Sequence, residues 1–267
     1  MPALTLDDVF RDVASRGRMA FMPYLCAGDP DLETSFQIAE TLVRAGADVL
    51  EVGLPFSDPI ADGPTIQKAS QRALAACMNT DAYFSLCKRI SATSATPLVA
   101  MTYFNLILHY GIDRFVHSSR QSGISGVIVP DLPYEECREL EASCQREGVS
   151  LIQLVALTTD DRRLDRIIQH AHGFIYLVSV LGVTGARDKV SKKVPTMLAS
   201  IRRRTRLPVC LGFGISKREH VLEAKRLGFS GVIVGSALID VVASHLGEKD
   251  KLLSELYRLA CALKEAT

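Results

Sequence analysis

Residues 48–65 read Asp48-Val49-Leu50-Glu51-Val52-Gly53-Leu54-Pro55-Phe56-Ser57-Asp58-Pro59-Ile60-Ala61-Asp62-Gly63-Pro64-Thr65, and they hold one complete strand-to-helix step. Asp48–Val52 is a short aliphatic run of strand length. Three prolines stiffen the loop that follows, and Asp62-Gly63-Pro64-Thr65 turns into a helical pattern over Thr65–Ala76. Upstream, the amphipathic stretch Leu32–Ala45 stops at Gly46, where a helix end is expected. The same alternation runs through the chain. Its apolar runs are Met19–Leu25, Asp48–Val52, Pro97–Met101, Gly126–Val129, Leu151–Val155, Phe174–Val178, Pro208–Leu211 and Gly231–Val234. Several are continuously apolar, as in strands covered on both faces. Tyr134–Glu147, Asp160–His170, Lys217–Leu227 and Ala237–Ala243 read as helices between them, and Gly148, Gly173 and Gly228 sit at further helix stops.

Strands alternating with helices predict a parallel sheet, and eight strands in 267 residues predict a single α/β domain over residues 1–267, a closed (β/α)8 TIM barrel. An open doubly wound sheet would usually show Gly-x-Gly-x-x-Gly after its first strand, and this chain has none. Two additions to the plain barrel are expected. One is an N-terminal helix, Leu4–Ser15, under the barrel. The other is an extra helix after the second strand, from a cap at Thr80 or Asp81 to about Ala92.

Lys and Arg number 31 against 30 Asp and Glu, so no net field draws in nucleic acid or an anionic membrane. No run approaches the length of a membrane span. The N-terminus meets acid at Asp7-Asp8 without a basic-then-apolar leader, which predicts a cytoplasmic protein. The seven cysteines show no Cys-x-x-Cys spacing and read as reduced thiols. His170-Ala171-His172 could put two imidazoles on one strand face, but no acid or cysteine sits beside them at ligand spacing. No metal is expected.

Chemistry in such a barrel sits where strands end and loops begin. Glu51 lies among Val49, Leu50 and Val52. A charge there is costly unless it is paired or keeps its proton. It is either a general acid/base or a structural carboxylate. Period two places it on the face of Val49, opposite Leu50 and Val52. Asp58 and Asp62 either shape the turn or orient a substrate. Glycine-rich strand ends come late, at Gly182–Gly185, Gly212–Ser216 and Gly235-Ser236. Singly each is a tight turn. Jointly, after the sixth to eighth strands, they point to phosphate held by backbone N–H groups and a helix N-terminus. Eight Lys and Arg between Arg187 and Arg206 read as a solvated loop and helix face or a loop over that phosphate. No aromatics interleave them for base stacking.

These segments resemble the α-subunit family of tryptophan synthase. Leu50–Gly63 matches the family signature across its length, and Pro23–Pro30, Met101–Asn105, Val129–Pro133, Gly182–Gly185, Gly212–Ser216 and Gly235-Ser236 follow in order. The resemblance implies retro-aldol cleavage of indole-3-glycerol phosphate to indole and glyceraldehyde 3-phosphate, in L-tryptophan biosynthesis. Carried over by position, Glu51 resembles the catalytic acid/base. Asp62 resembles the group that accepts the indole N–H and stabilises positive charge on the ring. Phosphate is expected near Gly185, Gly214, Gly235 and Ser236. Tyr24, Tyr103, Tyr176 and Phe213 are expected as indole-pocket walls, and Thr184 as the loop threonine that bonds the aspartate on closure.

The resemblance further implies a β subunit as partner, in an α2β2 assembly. Indole passes to that partner, and pyridoxal phosphate belongs to β only, leaving no cofactor on this chain. Departures from the usual family pattern fall at Val180-Leu181, Leu106 and Leu157; they touch the loops and the coupling to β rather than Glu51 or Asp62. Three other readings stay open: a stand-alone lyase releasing free indole, a non-catalytic activator of β, and a sugar-phosphate isomerase.

Overall fold

A computed structural model of the chain describes residues 4–178, 193–212 and 214–267. After α1 (Leu6–Ser15), the chain runs through β1 (Ala20–Cys26), α2 (Leu32–Arg44), β2 (Leu50–Gly53), α3 (Pro64–Ala75), α4 (Thr80–Thr93), β3 (Leu98–Met101), α5 (Phe104–Tyr110), α6 (Ile112–Gln121) and β4 (Ile124–Ile128). A 3-10 turn (Tyr134–Glu136) then leads into α7 (Arg138–Glu147), β5 (Ser150–Ala156), α8 (Asp161–Gln169), β6 (Ile175–Val178), α9 (Val194–Arg202), β7 (Val209–Gly212), α10 (Arg218–Leu227), β8 (Gly231–Val234), α11 (Ser236–Ser244) and α12 (Lys249–Lys264). The strands close in chain order into a parallel barrel. Closure comes from β8 pairing back to β1, with Ala20 opposite Gly231. The expected (β/α)8 barrel is what forms.

Side-chain alternation sorts each strand into two cores. Leu50 and Val52 face outward into the large layer under the helices. Val49 faces inward with Ala20, Met22, Val99, Ile128, Ile152, Cys210 and Ile233. The inner core is also closed from below. Leu6, Val9, Phe10 and Val13 of α1 pack against it, with Phe10 and Phe174 ring centroids 5.7 Å apart. Thr5 and Asp8 start α1 with a reciprocal capping box. The N-terminal helix is therefore the floor of the barrel, as its position before β1 suggests.

The expected extra helix after β2 is α4, but its cap is Asn79 rather than Thr80 or Asp81: Asn79 Oδ1 accepts from the backbone N–H of Asp81 at 3.1 Å and of Ala82 at 3.0 Å. Asparagine's short side chain reaches the first-turn donors from an extended backbone, φ −144°. Two further additions go beyond the expected plan. The β3–β4 connection holds two helices, α5 and α6, divided at Gly111 with φ 92°, and α12 follows α11 at the C-terminus. β4 also begins at Ile124, two residues before the apolar run 126–129; Gly126 sits within the strand, paired with Val99 and Ser150. Gly148 and Gly228 end α7 and α10 in the left-handed conformation, as their places in the sequence predict.

Candidate active site

The register β1–β2 sets Tyr24 beside Glu51, and β2–β3 sets Glu51 beside Val99. Glu51 points into the barrel and is 2% exposed. Its Oε2 has no hydrogen-bond partner among the described residues. Among the described residues, no neighbour's backbone or hydroxyl satisfies this oxygen. Burial first, and the nearby Asp62 second, push the carboxyl up to about 8. Near neutrality it keeps its proton.

Asp62 arrives at the same cavity from the end of the β2–α3 loop. It is not the helix cap: Gly63 takes that position with no side-chain cap bond. Its backbone carbonyl accepts from Gln67 Nε2 at 2.9 Å. Its Oδ2 accepts from the Tyr103 hydroxyl at 2.9 Å, and the same hydroxyl accepts from Ala61 N–H at 3.1 Å. Phe56 supports the tyrosine ring, 5.3 Å between centroids. Burial raises Asp62 to about 6, against the pull of the Tyr103 hydrogen bond. Asp58 stays on the exposed loop, where Ser57 bonds it, and takes no part in the cavity.

The cavity over the upper end of the barrel encloses about 810 Å³, open mouth included. Tyr24, Glu51, Asp62, Tyr176, Gly214, Gly235 and Ser236 all line it. Tyr24 and Tyr176 occupy notches that only glycine leaves open. A Cβ on Gly53 would stand 2.2 Å from the Tyr24 hydroxyl, and one on Gly212 would stand 2.1 Å from the Tyr176 ring. In the same cavity, Gly235 and Ser236 open α11, whose N-cap Gly235 makes no side-chain cap bond. Gly214 beside them takes φ 80°. The arrangement is a helix N-terminus and two buried acids, Glu51 and Asp62, lining one cavity. Gly185, Thr184 and Phe213 lie outside the described residues.

Several lining residues carried no functional signal in sequence: Thr65, Ile66, Ile233, Ala237 and Asp240. Thr65 donates to Asp240 across the mouth at 3.1 Å, joining α3 to α11. Residues outside any motif, polar and apolar alike, became cavity walls only through the barrel's closure. The histidine pair also finds partners that sequence spacing hid. His170 and His172 both meet Glu141 of α7, and Cys137 completes a group with Glu141 and His170 whose ligand atoms lie within 4.8 Å of one another.

A family model described as "Tryptophan synthase alpha chain" matches residues 10–267. The tryptophan synthase alpha chain of Methanoregula boonei is 46% identical, over 95% of this chain and 96% of its own length. The solved structure of the tryptophan synthase alpha subunit from Legionella pneumophila superposes with a TM-score of 0.90 at 33% identity, covering 99% of this chain and 98% of the other. A chain of the tryptophan synthase α2β2 complex from Pyrococcus furiosus superposes with a TM-score of 0.85 at 38% identity, covering 91% of this chain and 97% of the other.

Proposed function

The chain belongs to the tryptophan synthase alpha chain family, and on that premise we propose that Glu51 and Asp62 carry the family's cleavage of indole-3-glycerol phosphate to indole and glyceraldehyde 3-phosphate. The supporting observation is that two buried acids share one cavity with values on opposite sides of neutrality, about 8 and about 6. Between those values the pair holds one proton, on Glu51, and one negative charge, on Asp62.

The reaction needs that division. The protonated Glu51 carboxyl gives its proton to indole C3, and the ring becomes cationic. Asp62, held by Tyr103, accepts the indole N–H and stabilises that charge. The bond from C3 to the glycerol carbon then breaks, its electron pair returns to the ring, and the hydroxyl on that carbon becomes the aldehyde of glyceraldehyde 3-phosphate. The hydroxyl proton passes to the Glu51 carboxylate, which restores the acid. Each proton transfer of this kind typically contributes about 10²–10⁴-fold. The substrate phosphate is assigned to the N-terminus of α11, at Gly235 and Ser236 with Gly214 beside them. Tyr24, Tyr103 and Tyr176 are assigned as walls for the indole.

These steps are proton transfers and one carbon–carbon cleavage whose electron pair the indole ring takes up, so the reading places no cofactor on this chain and leaves pyridoxal phosphate to the β subunit. The Pyrococcus furiosus likeness supports assembly with β in an α2β2 complex and delivery of indole to it. We also read residues 1–267 as one domain, because the ladder closes only when β8 reaches β1. No helix among the described residues is long and apolar enough to cross a membrane; a cytoplasmic location is part of the proposal. The experiment is indole release from indole-3-glycerol phosphate by the purified chain, with and without a β subunit. Slow release accelerated by β is expected. Fast release indifferent to β identifies a stand-alone lyase, and no release in either case overturns the assigned chemistry.

A further inference from the structure

On the flank of the barrel, away from the Glu51 cavity, α7 and the turn after α8 bring together a thiol, a carboxylate and two imidazoles. Cys137 stands at the start of α7 and is 1% exposed. Glu141, one turn on, is also buried. His170 Nδ1 lies 2.9 Å from Glu141 Oε2, and Cys137 Sγ lies 4.0 Å from the same oxygen. His172 Nε2 faces the other oxygen, Oε1, at 3.5 Å; this nitrogen is buried and has no hydrogen-bond partner among the described residues. None of these residues lines the catalytic cavity.

We propose that Cys137, Glu141 and His170 form a binding site for a divalent transition cation of the zinc class, with His172 holding the second carboxylate oxygen. Sulfur, imidazole nitrogen and carboxylate oxygen are the donors such a cation takes. At the usual bond lengths, about 2.3 Å to sulfur and about 2.0 Å to nitrogen or oxygen, one ion spans at most about 4.3 Å between sulfur and either lighter donor. In a tetrahedral site the same bonds span about 3.5 Å, so the Cys137–Glu141 spacing of 4.0 Å closes by about half an ångström when the ion enters. The 4.8 Å bound on the group calls for side-chain shifts of up to about 1 Å to bring all three donors onto one ion. Charge balances as well: a thiolate and a carboxylate neutralise a divalent ion, and binding releases the proton that Cys137 Sγ now donates to the Tyr134 carbonyl at 3.0 Å. His170 leaves 41% of its side chain exposed, which gives the ion a way in and a fourth position open to water. His172, drawn in to Oε1, would fix the carboxylate's orientation.

The test is titration of the metal-free chain with Co²⁺, then displacement by Zn²⁺. One equivalent is expected, with the visible bands of tetrahedral cobalt and a near-ultraviolet thiolate-to-cobalt band. Cys137→Ser should abolish the thiolate band. Both Cys137→Ser and His170→Gln should weaken binding by about 10-fold or more. His117→Gln, which alters a histidine elsewhere on the surface, should bind as the parent does. His170→Gln keeps the test decisive if Cys137→Ser fails to fold. Absence of a saturable equivalent, or a thiolate band that survives in Cys137→Ser, overturns the proposal.

Discussion

Replacing Glu51 by Gln should inactivate the chain and, above pH 8, make it more stable. The two effects have one cause. Glu51 ordinarily titrates at 4.5 and is pushed to about 8 in the barrel. A raised folded-state value means that the folded chain keeps a proton the unfolded chain has lost. The stabilisation is complete at low pH and disappears as pH climbs through about 8. From pH 6 to pH 8 the slope is one proton, about 1.4 kcal/mol per pH unit. The parent should thus lose about 3 kcal/mol between pH 6 and pH 9 at this one residue. The glutamine amide does not titrate, has nearly the same volume and escapes that loss. Urea denaturation at pH 6 and pH 9 measures it directly. The stability of Glu51→Gln relative to the parent should rise by about 3 kcal/mol between the two, and indole release should be absent at both. A relative stability that does not change with pH would show that Glu51 is ionised throughout, and would remove the acid from the proposed mechanism.

The remaining expectations follow from neighbouring contacts. The parent's kcat/KM for indole release should be bell-shaped, limited near pH 6 by Asp62 and near pH 8 by Glu51. Tyr103→Phe removes the hydroxyl that holds ionised Asp62. Losing a hydrogen bond of about 1.5 kcal/mol to a charged group should move the acid limb up by about 1 pH unit and leave the alkaline limb in place, which the same profile reads. Gly53→Ala drives a Cβ to 2.2 Å from the Tyr24 hydroxyl. It should cost about 1–3 kcal/mol of stability by overpacking and reduce kcat, checked by denaturation and indole assay. Gly235→Asp puts a carboxylate at the entrance to α11, where a Cβ itself meets only ordinary contacts. KM should rise by about 10-fold or more through like-charge repulsion with the melting temperature little changed, and competitive inhibition by glyceraldehyde 3-phosphate should weaken in parallel.

The parts legible in sequence were those whose cause is local. Strand and helix alternation follows from hydrophobic period, so the barrel, its floor helix and the helix ends at Gly148 and Gly228 could be read without coordinates. Glu51 was legible because a lone acid among Val49, Leu50 and Val52 is costly wherever that strand goes. Its sharing a face with Val49 was legible too, from alternation; that this face points inward was decided by the closed barrel. Asn79 as a cap was missed because Thr80 and Asp81 are equally good capping types; the backbone angles, not composition, choose among adjacent candidates. The helices α5 and α6 were missed for a related reason: Gly111 breaks a stretch whose two halves are each too short to declare themselves by periodicity.

Sequence alone determined which residues could bear protons and on which face of a strand they lie, because those properties belong to a residue and its immediate neighbours. Only the tertiary structure decided that Glu51 goes without a hydrogen bond at Oε2, that Tyr103 restrains Asp62, and that the two acids titrate on either side of neutrality. Those depend on how much water the closed barrel excludes and on groups that lie 41 residues apart along the chain. The Cys137–Glu141–His170–His172 cluster carries the same lesson on the barrel's outer flank. Its members are spread over two helix–strand units, and packing alone brings them within reach of one another.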